Sequence, residues 1–129
     1  MQHRRGFSLI EVLIALAILA VVITMTLAMF TMRAKRMAAA NETMLAWQAI
    51  SNEVEYWRHV PYDALQKGTL DFKSSTEIIG PLAPYDAKVE IGDPNDSVKQ
   101  VTISIKWQNG KRQEKITINR VHTGGNNLW

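Results

Sequence analysis

From Val12 to Met32 the chain carries no charged residue and no proline. As a helix rising about 1.5 Å per residue, that run spans about 30 Å, the thickness of a bilayer's hydrocarbon core. In a chain of 129 residues, such a segment leaves room for only one small folded domain. A fold of that size sits near the lower limit for a self-sufficient core, so it is expected to lean on the helix. The chain has no cysteine, which excludes a disulfide framework and a thiolate metal site.

The residues ahead of the run are Met1-Gln2-His3-Arg4-Arg5-Gly6, followed by Phe7-Ser8-Leu9-Ile10-Glu11-Val12-Leu13. A secretory signal peptide is cut after its apolar stretch, at small residues. Here the stretch is too long, and no such site closes it. An uncleaved single-pass anchor accounts for the run but not for Glu11. An ionised carboxylate that far inside an apolar helix costs about 2.5–3.5 kcal/mol and calls for a partner. No basic residue follows until Arg33, so the helix supplies no cation. An α-amino group created at Phe7, on this chain or a neighbour, would supply one.

Arg4-Arg5-Gly6 before Phe7-Ser8-Leu9-Ile10-Glu11 resembles the cleavage and methylation signal of type IV prepilins. The resemblance implies that a prepilin peptidase cuts between Gly6 and Phe7 and methylates the new amine of Phe7. It also implies that Glu11 meets the N-terminal amine of an adjacent subunit during assembly. Cutting there removes Arg4 and Arg5, leaving 13 basic against 12 acidic residues; overall charge then argues for no particular partner. Two features depart from the bulk fibre subunits of that family. There is no proline in mid-segment, near Ala28, and no C-terminal disulfide loop. In size and in its tryptophan-bearing helix the chain is similar to minor pilins of the V type and I-type minor pseudopilins.

Beyond Arg33 the helix is expected to continue, since no glycine or proline occurs up to Arg58. Trp47, Ile50, Val54 and Trp57 recur at helical spacing and mark an apolar stripe. Met37 and the run Ala38-Ala39-Ala40 suit a helix that slides against copies of itself. Val60-Pro61 stops the helix, because proline disfavours helical geometry at the residue before it. Residues 61–86, broken by Gly68, Gly80, Pro81 and Pro84, read as an irregular connection.

Ala87, Val89 and Ile91 alternate with polar residues, and a turn is expected over Gly92–Asp96. Val101, Ile103, Ile105 and Trp107 alternate likewise. Asn109-Gly110 signals a two-residue hairpin turn, which sets Trp107 opposite Arg112, Ile105 opposite Glu114, Ile103 opposite Ile116 and Val101 opposite Ile118. The expected fold is α+β, with a three-stranded antiparallel meander over the helix stripe. The expected divisions are a leader at 1–6, a membrane helix at 7–32 and an extramembrane amphipathic helix at 33–60. The connection at 61–86, the meander at 87–122 and a loose tail at 123–129 follow.

No catalytic or metal-ligating constellation is present, and neither enzymatic activity nor a cofactor is expected. His59 and His122 are isolated in sequence, and Asp93, Asn95 and Asp96 offer too few ligands for a calcium loop. Lys99, Lys106, Lys111, Arg112, Lys115 and Arg120 make the hairpin basic, but Glu114 interrupts the patch and nucleic acid is not expected as a partner. The resemblance implies a minor subunit of a type IV pilus or a type II secretion pseudopilus, held in the bacterial inner membrane with its N-terminus cytoplasmic and its C-terminal domain periplasmic or extracellular. Its partners would be the prepilin peptidase, major and minor pilin or pseudopilin subunits, and the inner-membrane assembly platform. The alternative is a pilus-tip module that grips DNA or a surface through the hairpin.

Overall fold

The computed structural model describes residues 7–95 and 97–122. The expected leader and tail lie outside these residues. The chain divides into two compact units, one ending at Ala39 and the other beginning at Ala40. Helix α1, Leu9–His59, contributes to both. Its length follows from the absence of any helix breaker before Pro61.

In the first unit the apolar side chains from Leu9 to Met32 are exposed. The helix also satisfies its own hydroxyls. Thr24 Oγ1 donates to the carbonyls of Ala20 and Val21 at 3.0 and 2.8 Å, Thr26 Oγ1 to Val22 O at 2.7 Å and Thr31 Oγ1 to Ala28 O at 2.8 Å. A hydroxyl bonded within its own turn adds no unmet polar group to a segment surrounded by lipid. This helix is long and apolar enough to cross a membrane.

In the second unit α1 buries Ala46, Ala49, Ile50, Glu53, Val54 and Trp57. Trp47, expected to begin the buried stripe, is 42% exposed. The buried face runs one position to its side, through Ala46 and Ala49, where small residues let the sheet come close. Four antiparallel strands cover that face in the order β1-β2-β3-β4: β1 Gly68–Asp71, β2 Tyr85–Asn95, β3 Val98–Trp107 and β4 Arg112–Val121. Val89, Ile91, Val101, Ile103, Ile105 and Trp107 supply the sheet's side of the core.

The β3–β4 register is the one the alternating pattern predicts, with Val101 opposite Ile118, Ile103 opposite Ile116, Ile105 opposite Glu114 and Trp107 opposite Arg112. The tip is wider than expected. Gln108, Asn109 and Gly110 all adopt left-handed backbone, with φ of 52°, 56° and 80°, so the reversal starts one residue before Asn109. Gln108 Nε2 is drawn to Glu42 Oε2 at 2.8 Å. The expected turn at Gly92–Asp96 is also shorter, since β2 runs on to Asn95 through an irregularity after Gly92. Pro94 is tolerated there because β1 pairs only as far as Ile91.

Residues 61–86 are more ordered than their breakers suggest. Besides β1 they hold a short helix α2, Thr76–Ile79, flanked by single 3-10 turns at Tyr62–Ala64 and Gly80–Leu82. Leu65, Phe72, Ile79 and Leu82 are buried in the core. The segment closes the core and adds the fourth strand.

A fragment lacking residues 1–33 should stay soluble and give near-ultraviolet dichroism from the buried indoles of Trp57 and Trp107. Within it, Ile103→Ala should lower the unfolding free energy by about 2–5 kcal/mol, read from a urea midpoint. A flat near-ultraviolet spectrum would overturn the helix–sheet packing described here.

Candidate processing and assembly site

The start of α1 is organised by its own carboxylate. Ser8 precedes the first helical residue, and its carbonyl accepts the N–H of Glu11 at 3.0 Å and of Val12 at 3.3 Å. Glu11 Oε2 reaches back to accept the Ser8 N–H at 3.1 Å. That is half of a capping box, in which a glutamate three residues into the helix satisfies the cap residue's amide. The positive end of the helix dipole favours the same placement. Among the described residues, Oε1 has no partner. The helix therefore gives Glu11 an amide to hold, though no cation, which the sequence reading did not foresee. Ser8-x-x-Glu11 was the available signal. Phe7 is exposed and stands immediately before this cap; Gly6 lies outside the described residues.

The other candidate side chains are engaged within the second unit. His59 Nδ1 lies 2.8 Å from the Glu55 carbonyl, and the His122 ring packs on Tyr62 at 4.9 Å between centroids. Asn95 Oδ1 accepts the Ser97 N–H at 3.2 Å. Among the described residues no three histidine or carboxylate groups converge on a metal position.

Half of the hairpin's cations turn inward. Lys99 Nζ donates to the carbonyls of Tyr62 and Leu65 at 3.1 and 2.7 Å and stands 4.6 Å over the Tyr62 ring. Arg112 Nη1 donates to Glu42 Oε2 at 3.1 Å and Nη2 to Thr43 Oγ1 at 2.9 Å; the same carboxylate oxygen accepts the Trp107 indole N–H at 3.1 Å. Arg120 caps α1, donating to the carbonyls of Trp57, Arg58 and Val60 at 2.8, 2.7 and 3.1 Å. These three are latches between sheet, helix and connection.

Glu53 is the latch that sequence reasoning missed. Its carboxylate is wholly buried, yet it accepts four hydrogen bonds. The donors are Trp57 Nε1 at 3.0 Å, the backbone N–H of Lys73 at 2.8 Å and of Ser74 at 3.0 Å, and Ser74 Oγ at 2.7 Å. A charge inside an apolar stripe persists only where such donors replace water. The position was visible in sequence as a glutamate between Ile50, Val54 and Trp57, but the donors twenty residues on were not.

Residues 1–27 match the family model described as the prokaryotic N-terminal methylation motif, the signal of type IV prepilins. No curated protein and no solved structure matches the chain. The motif, at the head of a long helix followed by an antiparallel sheet, supports the reading of a type IV pilin-like or pseudopilin precursor. Proteins of that motif family are structural rather than enzymatic. The signal implies peptidase processing and assembly with other pilin subunits, and the single apolar helix fits an inner-membrane anchor.

Glu53→Ala should lower the stability of the 34–129 fragment by about 3 kcal/mol or more, because it leaves buried donors unmatched and a charged hydrogen-bond network broken. Glu53→Gln keeps an acceptor and should fall between the two. Urea unfolding followed by Trp57 fluorescence checks this; an unchanged midpoint for Glu53→Ala would show that the connection does not depend on the latch.

Proposed function

We propose that the chain is a minor subunit of a type IV pilus or of a type II secretion pseudopilus, released from its leader between Gly6 and Phe7 and methylated on Phe7. The observation that carries the reading is the prepilin signal at the head of a helix whose first part no other described residue covers, while its second part is buried under the chain's own sheet. An anchor needs only the first of these features. A subunit drawn from the membrane into a filament needs an apolar helix that other helices can cover and a folded domain to display.

The minor role is supported by the absence of a mid-helix proline and of cysteine. Outside the membrane-length run, α1 also leaves Met44 and Trp47 exposed opposite and beside its buried face, with Ala40 and Ser51 on the same side. Another subunit's helix can pack on such a stripe of small and adaptable residues. The leader faces the cytoplasm in this reading and the sheet lies in the periplasm or beyond it. Arg4 and Arg5 before the span are offset by Arg33, Lys35 and Arg36 after it, so charge alone does not set that orientation.

Glu11 has the assembly role. In the bilayer its carboxylate carries a standing cost, which the Ser8 N–H offsets in part. On entering the filament it pairs with the Phe7 amine of an adjacent subunit. Packing of apolar helices supplies the bulk of the attraction but tolerates axial sliding, and the charge pair fixes the step.

N-terminal sequencing and intact mass of the protein from its native membrane should give a chain beginning at methylated Phe7; a chain beginning at Met1 would sink the reading. Glu11→Val should be cleaved and inserted normally but lose most of its crosslinking to other subunits, with Glu11→Asp intermediate because its reach is shorter. Normal crosslinking of cleaved Glu11→Val would exclude the pairing mechanism while leaving the processing intact.

A further inference from the structure

The last turns of α1 carry side chains that the core does not use. Asn52, Glu55, Tyr56 and His59 stand at spacings of three, one and three, so they share one helix face outside the buried stripe. They line a groove of about 620 Å³ that runs on to Val60, Pro61 and Ser74, a volume within the range of small-molecule sites. Tyr56 is 44% exposed, and its ring is braced edge-on against the buried Trp57 indole, with 5.4 Å between centroids and 84° between planes. Ser74 connects the groove to the Glu53 latch. Its N–H and its hydroxyl both donate to the Glu53 carboxylate, at 3.0 and 2.7 Å, one helix position from Asn52. A helix therefore fixes one side of the groove and a buried charge fixes the other, which is how a preformed site is held.

We propose that this groove binds a neutral saccharide, with a pyranose ring of a glycan chain seated on Tyr56. The ligand class follows from what the lining offers. Its apolar part is the Tyr56 ring with Val60 and Pro61, and its polar groups lie beside them. His59 Nδ1 lies 2.8 Å from the Glu55 carbonyl. A carbonyl only accepts, so the neutral imidazole donates from Nδ1 and keeps Nε2 as an acceptor. Glu55 adds the acceptor oxygens of a carboxylate, and Asn52 adds both donors and an acceptor. A pyranose has the matching two sides. Its C–H face packs on the electron-rich face of an aromatic ring, and its edge carries hydroxyls that each donate and accept.

Charge selects the neutral class. Glu55 stands 3.7 Å from the Arg58 guanidinium and 3.8 Å from the His59 ring, so its carboxylate already has a counter-charge. A cationic peptide would have to displace Arg58 to gain an ion pair, and an anionic ligand would meet the carboxylate. Hydroxyls need neither change, because a carboxylate paired at that distance still accepts hydrogen bonds. The proposed function supplies only the setting for this site, a domain on the outer side of the membrane where cell-wall and surface glycans lie.

Titration of the full chain in phosphatidylcholine nanodiscs, free of glycoside detergent, tests the site. The probes are chitotriose, N-acetylated as cell-wall glycan is, and cellotriose, which is unsubstituted; tryptophan amide is the non-sugar comparison. At least one trisaccharide should shift the backbone amide resonances of Asn52, Glu55, Tyr56, His59 and Ser74 to saturation. Tyr56→Ala should weaken binding about tenfold or more, whereas Tyr56→Trp keeps a ring in place and should hold it within about threefold. Asn52→Ala should weaken it about threefold or more. Tyr85→Ala removes an exposed tyrosine outside the groove and should change nothing. Tighter binding of chitotriose marks a cell-wall type of glycan, and equal or tighter binding of cellotriose an unsubstituted polysaccharide; either result supports the proposal. It is overturned if neither trisaccharide gives a saturable shift, if tryptophan amide takes the groove more tightly than both, or if Tyr56→Ala binds as the native chain does. The titration involves neither cleavage after Gly6 nor assembly, so its failure leaves the pilin-like reading standing.

Discussion

Helix α1 has two surroundings to satisfy, and the organisation of the chain follows from that. Its first part offers apolar side chains on every side, which only lipid or other apolar helices can cover. Its second part has one apolar face and needs a local cover. A sheet of four strands meets the second need, and no element of the described chain meets the first. The described residues thereby cover one part of the helix and leave the other part open, as an assembly subunit would. Stability and function divide along the same line, with the buried stripe from Ala46 to Trp57 holding the domain and the uncovered stripes left for other chains.

What secures the sheet to the helix is polar as well as apolar. Glu42, Glu53, Lys99, Arg112 and Arg120 each tie one element to another. They differ in worth. The Glu42–Arg112 pair is about a third exposed and contributes about 1 kcal/mol at most. Glu53 is fully buried and organises the backbone amides of Lys73 and Ser74. Arg120 supplies donors to helix-end carbonyls that have none within the helix. A row of cations along a hairpin suggests an anion-binding face when counted in sequence. Three of the six are committed inside the fold, and the remaining Lys106, Lys111 and Lys115 are a much weaker basis for nucleic-acid recognition.

Legibility followed periodicity. The β3–β4 register could be written from sequence because alternation over two strands and an Asn-Gly turn agree on a single pairing. The N-terminal signal was legible because its chemistry is compressed into a few adjacent residues. The connection from Pro61 to Asp86 was not. Leu65, Phe72, Ile79 and Leu82 enter the core one at a time, with no period to announce them, and β1 is too short to show alternation. Trp47 misled because a helix face is wide, and a residue near its margin matches the spacing without being covered. Glu53 was hidden for a different reason: its donors come from a loop whose position depends on Glu53 itself.

The cap at Ser8 changes how the Glu11 pairing should be understood. The carboxylate is held within one turn of Phe7, the residue proposed to become the N-terminus, so in the proposed reading it does not wait in the bilayer without a partner. If the chain is processed as proposed, its own amine would stand one residue from the N–H it already accepts. A neighbour's amine must therefore compete with local partners, and the net gain on assembly is the difference between two polar arrangements rather than the full value of a charge pair. A contact of that kind adds little affinity. It discriminates strongly between axial positions, because a subunit displaced by one helical turn, about 5.4 Å, puts the carboxylate opposite apolar side chains and forfeits the exchange. In the proposed assembly, affinity comes from the uncovered apolar helix, and Glu11 decides where along it the subunits stop.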